Sequence, residues 1–233
     1  MKPNQQARSE ALSVLQSYQS IPTSLVSYQS QGRLLIVADA ESMPVTEGFS
    51  ERLSISRVWV GDSDKSMSPA AEGLRVKHAR DISASGYLGQ YQVMLTDVHG
   101  MSHQLTADML LDATSRPLIA SEVPPAGYLH QPIRREQLAE LEAQLLDMLG
   151  EFEKPKFFRY DPSICAHSSN GQTVCNRCID ACPTDAISSQ GQQISVNPYL
   201  CQGGGTCATV CPSGAMQYVY PRLSDQGNRI RKM

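Results

Sequence analysis

All seven cysteines of this chain fall between Cys165 and Cys211, and none occurs in the 164 residues before them. They stand at Cys165, Cys175, Cys178, Cys182, Cys201, Cys207 and Cys211. An odd count without an export-type leader argues against a disulfide scaffold, and confinement to one short segment argues for metal. Met1 to Ser20 scatter Gln, Ser and Glu where a secretory leader would run basic, then apolar, then small. The expected compartment is therefore the cytoplasm.

The cysteine segment repeats itself. Residues 172–187 (QTVCNRCIDACPTDAI) align with 201–216 (CQGGGTCATVCPSGAM) at a constant offset of 29. Cys178 falls on Cys207, Cys182 on Cys211, Pro183 on Pro212 and Ala186 on Ala215. Two copies of Cys-x3-Cys-Pro-Ser/Thr-x-Ala at one offset mark a duplicated half-unit.

These half-units resemble those of bacterial dicluster ferredoxins, which read C-x2-C-x2-C-x3-C-P and lend their fourth cysteine to the other cluster. The resemblance covers roughly residues 159–221. It implies two β-hairpins and two short helices around a pair of clusters. Gln193–Val196 would be a hairpin strand and Tyr218-Val219-Tyr220 the closing strand. Asn197-Pro198-Tyr199-Leu200 before Cys201 echoes Asp161-Pro162-Ser163-Ile164 before Cys165.

Both halves depart from the family pattern. The leading position of the first half is Gln172, and Cys165, seven residues earlier, is the natural substitute. The longer loop, with Asn170-Gly171 in it, costs little closure entropy. The middle position of the second half is Gly204, which has no ligating atom. Under the family's crossing rule, one cluster takes Cys165, Cys175, Cys178 and Cys211, a full [4Fe–4S] set. The other takes Cys182, Cys201 and Cys207. Three thiolates imply [3Fe–4S], as in seven-iron members of the family, or a second [4Fe–4S] whose last iron holds water, hydroxide or an outside ligand. The first is preferred. His167 is a candidate outside ligand, although a loop role suits it better.

The residue types suit the chemistry. Cluster iron prefers soft thiolates. Gly203, Gly204 and Gly205 would let backbone approach a cluster closely, and Pro183 and Pro212 restrict the chain as it leaves each fourth ligand. Ile164, Ile179, Ile187, Ile194, Val210 and Met216 would exclude water. Zinc would need four ligands that close locally, and neither Cys-Pro tails nor a repeat serve that end. A thioredoxin-like use of Cys175 and Cys178 lacks its surrounding βαβ unit.

The rest of the chain offers less chemistry. Residues 1–20 read as an amphipathic helix through Ala11, Leu12, Leu15 and Tyr18. Strands are expected at Leu34–Val37, Ser54–Val60, Leu74–His78, Gln90–Leu95 and Met109–Ala113. Residues 62–72 read as a polar loop, and Gly86 and Gly89 flank a turn. Arg135 to Phe152 reads as one helix with a stripe of Leu138, Leu141, Leu145, Met148 and Leu149, and Pro124 to Gly127 closes the region before it. The strand–meander–strand order resembles part of a flavin disulfide-reductase domain. No G-x-G-x-x-G or Walker-type loop is present to cradle a phosphate. His78, His99, His103 and His130 are dispersed, and Asp108 and Asp112 read as solvated or turn residues.

The expected fold is an α+β ferredoxin-like dicluster module preceded by an α/β N-terminal domain and a linker helix. Its divisions are 1–130, an α/β domain with a partner-docking role; 131–156, the linker helix; 157–221, the dicluster domain; and 222–233, a basic tail. In that tail Arg222, Arg229, Arg231 and Lys232 oppose only Asp225. It reads as a solvated tail or helix start, with an acidic-partner dock as the sharper alternative.

A net charge of −3 supplies no global field for nucleic acid, and no apolar stretch is long enough to span a bilayer. The expected function is single-electron relay between a redox enzyme and an acceptor, as a carrier or complex subunit rather than a stand-alone enzyme. The overall layout also resembles ferredoxin-like proteins that accompany molybdenum-dependent oxidoreductases such as formate dehydrogenase. The alternatives are a redox or oxygen sensor, or scaffold, whose N-terminal domain binds a partner, and an enzyme binding substrate at the open iron.

Overall fold

The computed structural model describes residues 3–17, 20–22, 24–39, 42–49, 51–61, 73–169 and 172–232. Tyr18, the 62–72 loop and Asn170-Gly171 lie outside them. The chain forms two compact units, one of Ser27–Phe152 and one joining the chain up to Val26 with Glu153 onward. It passes between them within strands β1 (Leu25–Ser30) and β10 (Gly150–Pro155). The α/β region expected at 1–130 therefore gives up its first residues to the cysteine-bearing unit.

The Ser27–Phe152 unit is built on a parallel sheet. Its strands are β2 (Arg33–Asp39), β3 (Ser54–Val60), β4 (Leu74–Val76), β8 (Met109–Asp112) and β9 (Tyr128–His130), in the order β4-β3-β2-β8-β9. A three-stranded antiparallel meander, β5 (Ile82–Ser85), β6 (Tyr91–Thr96) and β7 (Ser102–Ala107), is inserted between β4 and β8. β2 carries five buried residues in a row, as a strand covered on both faces must. β6 alternates buried and exposed because it covers one layer only. Leu35, Val37, Val58, Val76, Tyr91, Val93, Leu95 and Leu110 fill the core between the sheets. Gly89, at φ +88°, lies where any Cβ would strike the Gln29 carbonyl oxygen at 2.1 Å, so the turn before β6 requires glycine.

The expected linker helix is shorter than its apolar stripe. After a single turn at Arg135–Gln137, α2 runs Leu138–Leu146 and β10 begins at Gly150. The helix closes at Asp147, whose N–H bonds back to Ala143, and Gly150, at φ +117°, opens the strand. Leu141 and Leu145 are buried, and Leu138 and Leu149 lie against Gly48 and Gly32. The helix is thus part of this unit's core rather than a free connector, each buried leucine contributing roughly 1.5–3 kcal/mol.

Asp108 and Asp112, expected to be solvated, are buried. Asp108 accepts from the backbone N–H of Gln31 and Arg33 at 2.8 and 3.1 Å and pairs with the Arg33 guanidinium. Asp112 accepts from the Thr114 and Leu118 amides and from the Thr114 and Tyr128 hydroxyls. Burial pushes the Asp108 carboxyl up, but Arg33 and the two amides outweigh it and hold it below the usual carboxylate value of 3.8. Such a group stabilises the fold above that value, and its contribution is lost as pH falls through the folded-state pKa. Asp108→Ala is expected to cost about 2–3 kcal/mol in urea unfolding at pH 7. The gap from wild type should narrow below about pH 4. A gap that persists unchanged into acid would show that the ion pair is not its source.

In the cysteine-bearing unit, α1 spans Pro3–Ser17. β11 (Phe158–Tyr160) pairs antiparallel with β16 (Met216–Tyr218), and β14 (Ile187–Gln190) pairs with β15 (Gln193–Val196). β15 matches expectation, whereas the closing strand begins two residues earlier than Tyr218. Two one-turn helices, α3 (Arg177–Asp180) and α4 (Thr206–Thr209), carry Cys178 and Cys207. β12 (Ser168–Ser169) and β13 (Gln172–Thr173) form a small ladder in the first cysteine loop. α5 (Leu223–Lys232) makes a helix of the basic tail. Among the described residues no helix is long and apolar enough to cross a membrane.

Candidate iron–sulfur centre

The sequence repeat is also a repeat of local structure. Ahead of Cys165, the Asp161 carboxylate accepts the Ser163 amide at 3.0 Å. Ahead of Cys201, the Asn197 side-chain oxygen accepts the Tyr199 amide at 2.9 Å. The central residue of each turn, Pro162 or Pro198, presets the chain. The backbone then crosses between halves. Asp161 N–H donates to Ala215 O at 2.9 Å, and Asn197 N–H donates to Ala186 O at 2.7 Å. Each leading turn is thus held by the alanine just after a Cys-Pro tail.

The Cys-Pro tails match in detail. The Thr184 hydroxyl lies 3.4 Å from Cys182 Sγ, and the Ser213 hydroxyl lies 3.7 Å from Cys211 Sγ. The next residue is left-handed in both copies, Asp185 at φ 51° and Gly214 at φ 71°. Asp tolerates that region better than most side chains, which explains how one copy dispenses with glycine.

The thiols sort into two sets. Cys165, Cys175, Cys178 and Cys211 line one small cavity, together with His167 and Arg177. Burial pushes the Cys178 thiol up to about 11, and the charges of Cys165, Cys211 and Cys175 add to the shift. Cys201 and Cys207 are likewise raised by burial, and both feel Cys182. Burial opposes ionisation of Cys211 too, but the Met216 amide at 3.4 Å and the Ser213 hydroxyl help hold its thiol below the ordinary value.

Such groups repel one another as thiolates and gain from a shared cation. Among the described residues no three His, Cys, Asp or Glu side chains converge as one chelated ion needs. The four thiols stand around a space instead, an arrangement that fits a multi-iron cluster. A cluster held there would supply one-electron redox chemistry. The chain's part is to position sulfur, donate amide and hydroxyl hydrogen bonds, and keep water out.

Phe158, Ile187, Ile194 and Met216 are buried beside Cys178, with Cys182, Cys201, Cys207 and Cys211 packed against them. Phe158 was not expected from the sequence, because nothing in its pattern distinguishes it from Phe157. Ile164, expected in this shell, is instead 47% exposed. His167 is buried with both ring nitrogens engaged. Nδ1 lies 2.8 Å from Cys175 O and Nε2 lies 2.8 Å from the Ser189 hydroxyl. It lines the four-thiol cavity rather than the three-thiol set, and holds the Cys165–Cys175 loop in place.

The three glycines before Cys207 differ. Gly203 and Gly205 are left-handed at φ +77° and +78°, and a Cβ on Gly203 would strike the Phe157 ring at 2.7 Å. Gly204 lies outside that region and a Cβ there meets nothing within 4 Å. Lys154, which sequence reasoning missed, reaches from β10 to donate to the carbonyls of Tyr199 and Cys201, each at 2.7 Å. Burial lowers its pKa and the Cys201 charge opposes the shift. A lone lysine near the end of an expected helix carries no signal for such a role.

Comparison with known proteins agrees with this region. A family model described as 4Fe-4S dicluster domain matches residues 173–215. Hydrogenase-4 component A of Escherichia coli is 38% identical over 55 residues, 24% of this chain and 24% of that protein. An uncharacterized ferredoxin of Methanocaldococcus jannaschii is 33% identical over 58 residues, 25% of this chain and 32% of that protein. The matched stretch thus spans about a quarter to a third of these relatives. The C-terminal region of this chain carries a dicluster ferredoxin-like iron–sulfur domain.

Proposed function

We propose that the chain relays single electrons through one [4Fe–4S] cluster on Cys165, Cys175, Cys178 and Cys211 and one [3Fe–4S] cluster on Cys182, Cys201 and Cys207. The observation that carries this reading is the sorting of the thiols. Cys211 lines a cavity with three cysteines of the first half, while Cys182 shares its electrostatic surroundings with Cys201 and Cys207. Each half lends one sulfur to the other, as the crossing rule requires. The hydrophobic shell and the hydroxyls of Thr184 and Ser213 belong to the features that set reduction potentials, within a range of roughly −700 to +450 mV.

The Ser27–Phe152 unit then selects the partner. Its buried carboxylates, Asp108 and Asp112, are committed to internal hydrogen bonds, which favours docking over acid–base chemistry there. The partner is a redox enzyme. Similarity to a hydrogenase component supports a hydrogenase-type complex, and the resemblance in layout supports a molybdenum-dependent oxidoreductase such as formate dehydrogenase. Reduction of the clusters by hydrogen or by formate, through each purified enzyme, separates the two. The relay is placed in the cytoplasm.

Anaerobic reconstitution followed by iron analysis and electron paramagnetic resonance tests the reading. The expected content is about seven irons per chain, with a near-isotropic signal in the oxidised protein. A chain that stays colourless, or holds zinc alone, would overturn it.

A further inference from the structure

A groove of about 1010 Å³ in the cysteine-bearing unit is lined by both apolar and cationic side chains. Buried Phe158 and Ile194 and the more exposed Tyr218 supply apolar surface, and Lys156, Arg159 and Arg222 supply the charge. No carboxylate is among the described residues that line it. Among the described residues none of the three cations forms an ion pair. Lys156 Nζ sits 5.1 Å from the centre of the Phe158 ring, and Arg159 donates to the neutral Gln217 side chain at 2.6 Å. Two acids flank the groove residues in sequence: Asp161 interacts with Arg159 and accepts from Ser163, and Asp225 accepts from the Arg222 amide. α5 starts at the rim with Leu223, 89% exposed, and carries Arg229, Arg231 and Lys232 in its last turn. Phe158 and Ile194 thus belong both to the groove lining and to the core on which Cys182, Cys201, Cys207 and Cys211 pack.

We infer that this groove is the electron-transfer dock and that its partner is a protein presenting an acidic segment with apolar side chains. The inference rests on the cluster reading above and adds a place and a sign. The sign is testable because the whole chain carries the opposite charge, −3. Global Coulomb repulsion makes an anionic oxidant react faster as salt rises, whereas a local cationic exit makes it react more slowly.

The test is stopped-flow oxidation of the dithionite-reduced holoprotein by hexacyanoferrate(III) and, separately, by hexaamminecobalt(III), across ionic strength. One electron passes from a reduced cluster to each oxidant ion. The expected result is that the anionic oxidant slows with salt. In Lys156→Glu/Arg159→Glu/Arg222→Glu it should slow at least tenfold at low salt, while the cationic oxidant does not slow. The milder Lys156→Gln/Arg159→Gln/Arg222→Gln should fall between, with an unchanged cluster spectrum. A short peptide alternating Glu and Leu should compete with the anionic oxidant, and its Lys–Leu counterpart should not. Anion rates that rise with salt, or that ignore the substitutions or the acidic peptide, would overturn the dock while leaving the clusters intact. A chain without clusters would overturn both.

Discussion

Gly204→Cys is expected to raise the iron content from about seven to about eight per chain and to abolish the near-isotropic signal of the oxidised protein. Gly204 occupies the middle-cysteine position of the second half-unit, where Cys175 stands in the first. The backbone there is not left-handed, and an added Cβ meets nothing within 4 Å, so a side chain enters without displacing a neighbour. A fourth thiolate then completes the set of Cys182, Cys201 and Cys207. Gly203→Cys is the control. At φ +77° and 2.7 Å from the Phe157 ring, it should strain the loop rather than complete the site. Electron paramagnetic resonance on both variants, with iron and sulfide analysis, checks the pair. If Gly204→Cys leaves signal and iron content unchanged, the second cluster is not the three-thiolate [3Fe–4S] proposed.

The seven cysteines and their repeat were legible in the sequence because covalent spacing encodes them directly, whereas their division into two sets came from the family resemblance. Cys182 and Cys211 occupy equivalent positions at one offset; Cys211 lines a cavity with Cys165, Cys175 and Cys178, and the Cys182 charge acts on Cys201 and Cys207. The supporting residues were less legible. The hydroxyls of Thr184 and Ser213 stand inside the repeated motif, and their shared position two residues after each cysteine was a signal available to be read. His167 had no such signal, since its role depends on Ser189, 22 residues away. Ile164 matched the hydrophobic type expected of a shielding residue, yet its place in the turn after Asp161 leaves it exposed.

In the fold, the strongest strands announced themselves. Ser54–Val60 was read to the residue, and Leu34–Val37 lies within β2. β1, β5, β7 and β9 escaped because each is short or polar. β7, for instance, reads Ser-His-Gln-Leu-Thr-Ala and is held chiefly by its ladder to β6. The helix after Arg135 was over-extended because Met148 and Leu149 continue the apolar stripe past Leu146, where the helix ends. The joining of α1 to the cysteine-bearing unit rests on long-range contacts such as Arg229 with the Leu15 carbonyl, which no local pattern reports.

Lys154→Met is expected to lower the reduction potential of the three-thiolate cluster and to leave that of the other nearly unchanged. The Lys154 ammonium donates at 2.7 Å to the Cys201 carbonyl and at 2.7 Å to that of Tyr199. It is thereby fixed on the backbone carbonyl of Cys201, a proposed ligand of that cluster. An added electron makes the cluster more negative, so a neighbouring positive charge favours the reduced form. A unit charge pair at an effective permittivity of 20 is worth about 4 kcal/mol at 4 Å and falls inversely with distance. Even a third of that is about tenfold in the redox equilibrium, or about 59 mV for a one-electron couple. Methionine keeps the apolar stem but removes both the charge and the donors, while Lys154→Arg keeps the charge. Spectroelectrochemical titration of the three proteins separates the terms. The arginine variant should stay near wild type, and methionine should fall by tens of millivolts at one cluster only. Equal shifts at both clusters, or a loss shared by arginine and methionine, would mean that Lys154 acts by holding the Asn197–Cys201 turn rather than by its field.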